Sequence, residues 1–124
     1  MKTIWFWQFN IRTASESNSF EHWTVKAARH KDQKQKISKV LSKEKPPITP
    51  PCTCILTRIS PRMLDDYDNL PMAFKWIRDA VAEYLIPGKK PGRADDSKEI
   101  IWKYDQRKGG VREYAITLEL IKDD

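Results

Sequence analysis

Asp65-Asp66-Tyr67-Asp68-Asn69-Leu70-Pro71-Met72-Ala73-Phe74-Lys75-Trp76-Ile77-Arg78-Asp79 is the stretch around which the chain is organised. Three acids fall in its first four positions, and a helix signal follows at once. Asp68 or Asn69 suits an N-cap, because a short side-chain oxygen there accepts from the free amides of the first turn. Pro71 belongs in that turn, where a missing N–H leaves no bond unmade. Leu70, Phe74, Ile77, Val81 and Leu85 then recur at steps of four, three, four and four. That is the stripe of an amphipathic helix, which Pro87-Gly88 stops after about Ile86. Asp68, Lys75 and Asp79 fall on a different face. The acids therefore stand at the mouth of a packed helix, and rigidly placed carboxylates are what a metal site requires.

Outward from this stretch the chain reads β-α-β-α-β-β, an α+β order. Thr3 to Arg12, rich in Ile, Trp and Phe, predicts a buried strand. Asn18 and Glu21 have the spacing of a capping box and open a helix to about Ser42. Phe20, Trp23, Ala27, Ile37 and Leu41 form its inner side, and His30 and Lys34 interrupt that stripe, where a kink or fraying is expected. Lys45 to Pro51 holds four prolines and reads as an extended connector. Cys52 to Ile59 is the second strand. Asp95-Asp96 lead into a third, Glu99 to Asp105, and Gly109-Gly110 supplies a hairpin turn that Gln106 to Lys108 widens. In the last strand, Val111 to Ile121, Tyr114, Ile116, Leu118 and Leu120 face one way and Glu113, Thr117 and Glu119 the other.

Size and composition bound the function. A chain of 124 residues is one domain, 1–124. The apolar run from Ile4 to Phe9 is interrupted too early for a signal peptide, and nothing approaches the roughly 20 apolar residues of a membrane span. Cys52 and Cys54 are one residue apart, too close for a relaxed disulfide and too few for a thiolate zinc site. They read as two small buried side chains on one strand face, in a reducing, cytoplasmic compartment. Residues 26 to 45 carry eight basic side chains against two acidic ones, a surplus equal to the net charge of +6 of the whole chain. A basic helix of this kind is either a solvated face or the footprint of a protein that meets phosphate backbones.

In an extended segment Asp66 and Asp68 point the same way, with Tyr67 pointing back. Asp95-Asp96 is the other acidic pair in a loop directly before a strand. If both loops lie at one edge of the sheet, several carboxylates converge, and like charges so close need a cation or a shifted pKa. Oxygen donors with room for water suit Mg²⁺ or Mn²⁺, which can activate water for attack on a phosphodiester. Each part also has a plain structural reading. Asp-x-Asp can be a cap and its neighbour, Asp95-Asp96 a turn, and Lys75 and Asp79 a surface ion pair. Trp76 and Trp102 serve either as base-stacking surfaces or as core and dimer contacts.

Taken together, Asp66-x-Asp68-Asn69-Leu70, a helical Lys75 with Asp79 four residues on, the Asp95-Asp96 pair and a closing β-hairpin resemble the RusA-type Holliday-junction resolvases. These are small endodeoxyribonucleases of bacteria, prophages and phages. The resemblance covers about residues 52 to 121 well and the first fifty in outline. It implies a homodimer with a mixed sheet and helices packed on it, cutting four-way or branched DNA symmetrically with Mg²⁺. By matching position it makes Asp66, Asp68 and Asp96 the metal carboxylates, with Asp95 the lesser candidate, and Lys75 the catalytic lysine. In the better-known short form the lysine follows the Asn by three positions; here Met72 stands there and Lys75 follows by six. Along a continuous helix that shift is about 4.5 Å. Lys34, Lys36 and Lys39 on the first helix, with Lys89, Lys90 and Arg93 near the acids, are the expected DNA contacts. A DNA-binding module that keeps this fold without turnover is the alternative.

Overall fold

Seven elements follow in order: β1 (Lys2–Phe9), α1 (Trp23–Leu41), β2 (Cys52–Ser60), α2 (Asn69–Ala73), α3 (Lys75–Leu85), β3 (Ile100–Lys108) and β4 (Ala115–Asp123). The computed structural model describes residues 2–13, 22–64, 69–87 and 98–123. The strands form one mixed sheet in the order β1-β4-β2-β3, with β2 and β3 parallel and the other neighbours antiparallel. The α+β class and the element order are as expected, but the closing hairpin is not. β3 and β4 flank β2 and do not pair with each other. Gln106 to Lys108 continue β3, and the turn behind them crosses the end of β2. Gly109 N–H donates to Ser60 O at 2.8 Å. A Cβ on Gly109 would lie 2.8 Å from Glu113 Oε1 and 3.1 Å from both Glu113 O and Ile59 Cγ2, so a side chain there would displace the Glu113 carboxylate and press on the crossing.

Strand alternation divides the sheet into two faces. Cys52, Cys54 and Leu56 of β2, Ile100 of β3 and Ile116, Leu118 and Leu120 of β4 are buried on the helix-covered face. Both cysteines are free, as their spacing predicts. Burial pushes both thiols above their ordinary value. The other face is open around Ile4, Phe6 and Ile101 but closed where Ile59, Ala115 and Thr117 are buried. Strand β1 is an edge strand, not a buried one; Ile4 and Phe6 are exposed on it, and Ile101 is exposed on β3 at the opposite edge.

The stripe Leu70, Phe74, Ile77, Val81 and Leu85 is buried throughout. The helix that carries it is nevertheless two helices. Phe74 N–H donates to Pro71 O, one residue short of the α-helical step, and Phe74 stands between α2 and α3 with φ −98° and ψ 1°. Its ring is fully buried and stacks on Tyr104, centroids 5.8 Å apart. Core packing thus sets the break.

The first helix also departs from its expected pattern. It is capped by His22, whose ring accepts from Thr24 N–H at 3.2 Å; the Asn18–Glu21 capping box lies outside the described residues. Trp23 is 71% exposed, and only Gln33, Ile37 and Leu41 of α1 are buried. His30 and Lys34 do not break the helix. Both turn toward α3, where His30 stacks on Trp76 at 4.3 Å and Lys34 meets Asp79.

Candidate functional site

Two side chains at the end of the covered sheet face prepare the chain for the acidic stretch. Arg58 and Gln106 are register partners on β2 and β3. Arg58 Nη1 donates to Arg62 O at 2.6 Å. Gln106 Nε2 donates to Leu64 O at 2.7 Å, and Leu64 N–H donates to Gln106 Oε1 at 2.9 Å. An amide side chain thereby pairs with the backbone as a strand neighbour would. Asn69 opens α2 on the other side. Residues 65–68 therefore join two anchored points. Asp65, Asp66 and Asp68 themselves lie outside the described residues, as do Lys89, Lys90, Arg93, Asp95 and Asp96.

The described strands attach the two acidic loops at opposite ends of the sheet. Because β2 and β3 are parallel, Ser60 lies beside Lys108 at one end and Cys52 beside Ile100 at the other. Asp65 to Asp68 follow from the Ser60 end, whereas Asp95-Asp96 lead into Ile100. Eight strand steps separate those ends, about 26 Å. Asp96 stands four residues before Ile100, a reach of at most about 14 Å from that end of the sheet. Any convergence is made by the loops and not by strand order. Among the described residues no three His, Cys, Asp or Glu side chains gather as a metal site.

Lys75 begins α3, is exposed, and holds its ammonium 4.9 Å from the Trp76 ring centroid. The break at Phe74 means that its offset from the expected position is not a shift along one helix. Asp79 is 6% exposed and accepts from Lys34 at 3.0 Å, so its ionic partner is on α1 and not Lys75. Glu83 adds a longer contact to Lys34, at 3.5 Å. Burial alone would lower the Lys34 pKa; the hydrogen bond and charge of Asp79, with Glu83, outweigh it and raise it. Lys34 is thus a group that joins helices, only 31% exposed at its side chain.

Lys36 and Lys39 are exposed, and Lys36 pairs with Asp32 one turn away at 3.1 Å. With Lys43 they line a surface cavity of about 380 Å³ against Gln8, Phe9 and Asn10. The tryptophans are divided between roles. Trp76 is half-buried under His30, and Trp102 is half-buried with the Arg78 guanidinium 4.9 Å from its ring. Arg78 also donates to Tyr104 Oη at 2.8 Å.

Arg58 and Gln106 escaped the sequence reading. The period of two puts Arg58 on the face of Cys52, Cys54 and Leu56, and a cation on a buried face is the signal that would have found it. Gln106 had no such signal, since its partner is a backbone 42 residues away in sequence. Comparison with family models, with curated proteins and with solved structures returned no match.

Proposed function

We propose that this protein is a Mg²⁺-dependent endodeoxyribonuclease for four-way or related branched DNA, as the resolvase resemblance implies. The observation that carries the reading is the anchoring of the acidic stretch at both ends, by the Gln106 amide on Leu64 and by the start of α2 at Asn69. A short acidic segment held this way loses less entropy when its carboxylates must take up one geometry. Asp66, Asp68 and Asp96 form an oxygen-only donor set, which fits a hard divalent cation. The chemistry that Mg²⁺ supplies in such a set is water activation and neutralisation of phosphodiester charge. Asp66 and Asp68 from one loop and Asp96 from the other would hold the ion, and exposed Lys75 would contact a non-bridging phosphate oxygen. Lys36, Lys39 and Lys43 hold the DNA backbone away from the scissile bond.

A homodimer presents two such centres to the two equivalent strands of a junction. Its contact is the open sheet face. Phe6, Glu119, Ile55 and Lys103 lie in one row across the four strands. A two-fold axis along β2 through Ile55 would set each Glu119 against the partner's Lys103, with Ile4 and Ile101 toward the sheet edges.

The attachment of the acidic loops to opposite ends of the sheet favours a second reading, a DNA-binding module without turnover. One experiment separates the two: incubation of a synthetic four-way junction with wild type and Asp68→Asn, in Mg²⁺ and in a chelator. The nuclease cuts only as wild type with Mg²⁺, while Asp68→Asn still binds. Binding without cutting in every lane establishes the module instead.

A further inference from the structure

Arg58 is a cation where the fold does not need one. It is 6% exposed on the covered face of β2, and Nε donates to Thr13 Oγ1 at 2.8 Å while Nη1 holds Arg62 O. Both partners are neutral oxygens. No carboxylate of the described residues pairs with it. Burial lowers its pKa, against the opposing influence of Tyr114. A neutral amide would make similar hydrogen bonds without burying a charge, so loop anchoring alone does not account for a guanidinium here.

The charge faces a cavity of about 430 Å³ lined by Arg12, Thr13, Arg58, Ser60, Arg62 and Tyr114. Arg12 lies over the Tyr114 ring, 4.5 Å from its centroid, which holds one rim guanidinium in place. Arg62 also lines the cavity and is exposed, on the segment that leads into the acidic stretch. Three guanidiniums, with the hydroxyls of Thr13, Ser60 and Tyr114 among them, surround one cavity, and the like charges repel one another unless an anion joins them. Guanidinium forks match phosphate oxygens in geometry as well as charge.

We propose that this cavity binds a phosphate group, a backbone phosphodiester of the DNA substrate, with Arg58 as the buried anchor and Arg12 and Arg62 closing over it. The assignment to DNA rests on the nuclease reading; the anion site itself does not. It places a strand immediately beside the chain that enters the acidic stretch.

The test has two arms, both without cleavage. Thermal unfolding is followed with inorganic phosphate against chloride at equal ionic strength, for wild type, Arg58→Gln, Arg12→Ala and Arg62→Ala. Junction binding is then measured against salt concentration in a chelator. Phosphate is expected to raise the wild-type Tm and to lose that effect in Arg58→Gln. Arg12→Ala and Arg62→Ala, both at exposed positions, should each weaken it and flatten the log–log salt dependence of junction binding by about one unit. No phosphate effect on wild type, or an equal effect in all four proteins, overturns the site. A phosphate effect with unchanged salt slopes shows a site for free phosphate and overturns the assignment to DNA. Failure of wild type to cut junctions in Mg²⁺ defeats the nuclease reading separately, and leaves both arms interpretable.

Discussion

Gln106 pairs with Leu64 through both halves of its amide, donating to the carbonyl at 2.7 Å and accepting from the N–H at 2.9 Å. This joins the far end of β3 to the last described residue before the acidic stretch. Gln106→Leu removes both bonds and leaves two part-buried backbone groups without these partners. The expected cost is about 1–3 kcal/mol in urea unfolding. Junction cleavage should fall by at least about tenfold through loss of positioning. Full cleavage in a folded Gln106→Leu protein would show that this anchor does not organise the acids.

Lys34 and Asp79 join the two long helices, and the partners are not equivalent. Lys34 retains access to water, whereas Asp79 is buried and one of its oxygens, Oδ1, has no hydrogen-bond partner among the described residues. Lys34→Met strands that carboxylate and should destabilise the fold by about 1–3 kcal/mol. Lys39→Met, at an exposed position, should leave unfolding within about 0.5 kcal/mol of wild type while flattening the salt dependence of DNA binding. Equal stability losses in the two variants would dissolve the distinction between helix-joining and DNA-facing lysines.

Asp96 is the ligand that strand order alone does not deliver. Asp96→Asn is expected to abolish Mg²⁺-dependent cutting as fully as Asp68→Asn, with junction affinity in a chelator retained. Asp95→Asn should have the smaller effect. Near-normal cutting by Asp96→Asn would confine the metal to the loop after β2.

The open sheet face predicts the assembly. Phe6 is 58% exposed in the chain alone, so Phe6→Lys should leave its unfolding nearly unchanged while shifting the protein from dimer to monomer in sedimentation. A Glu119→Lys and Lys103→Glu double variant should restore what either single variant weakens, if the charges meet across the axis. A wild type that sediments as a monomer at every concentration removes this contact.

The buried thiol carries the alkaline pH dependence. Burial raises Cys54 above its ordinary value of 9.0, so the folded state keeps a proton that the unfolded state loses first. Stability should therefore decline as pH climbs above about 9, and Cys54→Val should soften that decline. Lys34 enters later: its folded pKa lies above 10.5, so its contribution is intact below that value and is lost as pH rises through the higher one. Urea midpoints between about pH 8 and about pH 11 read both effects. A Cys54→Val curve parallel to wild type would place the sensitivity elsewhere.

Local pattern alone was enough for the sequence of helices and strands and for the core of β2, α3 and β4, but not for the break at Phe74 or the inner side of α1. The stripe from Leu70 to Leu85, the alternation of Ile116, Leu118 and Leu120, and the pairing of two small thiols on one strand face all depend on neighbours a few residues apart. Period and burial coincide there because each face of a helix or strand meets one environment. Charge along α1 was equally visible, but the commitment of Lys34 to Asp79 was not, because that pairing spans 45 positions. Strand order lay beyond the sequence for the same reason. Gly109-Gly110 has the chemistry of a turn, yet only the competition for β2 decides that β3 and β4 take its two sides. That choice, made by long-range pairing and packing, attaches the acidic loops to opposite ends of the sheet and brings Arg58 beside Gln106.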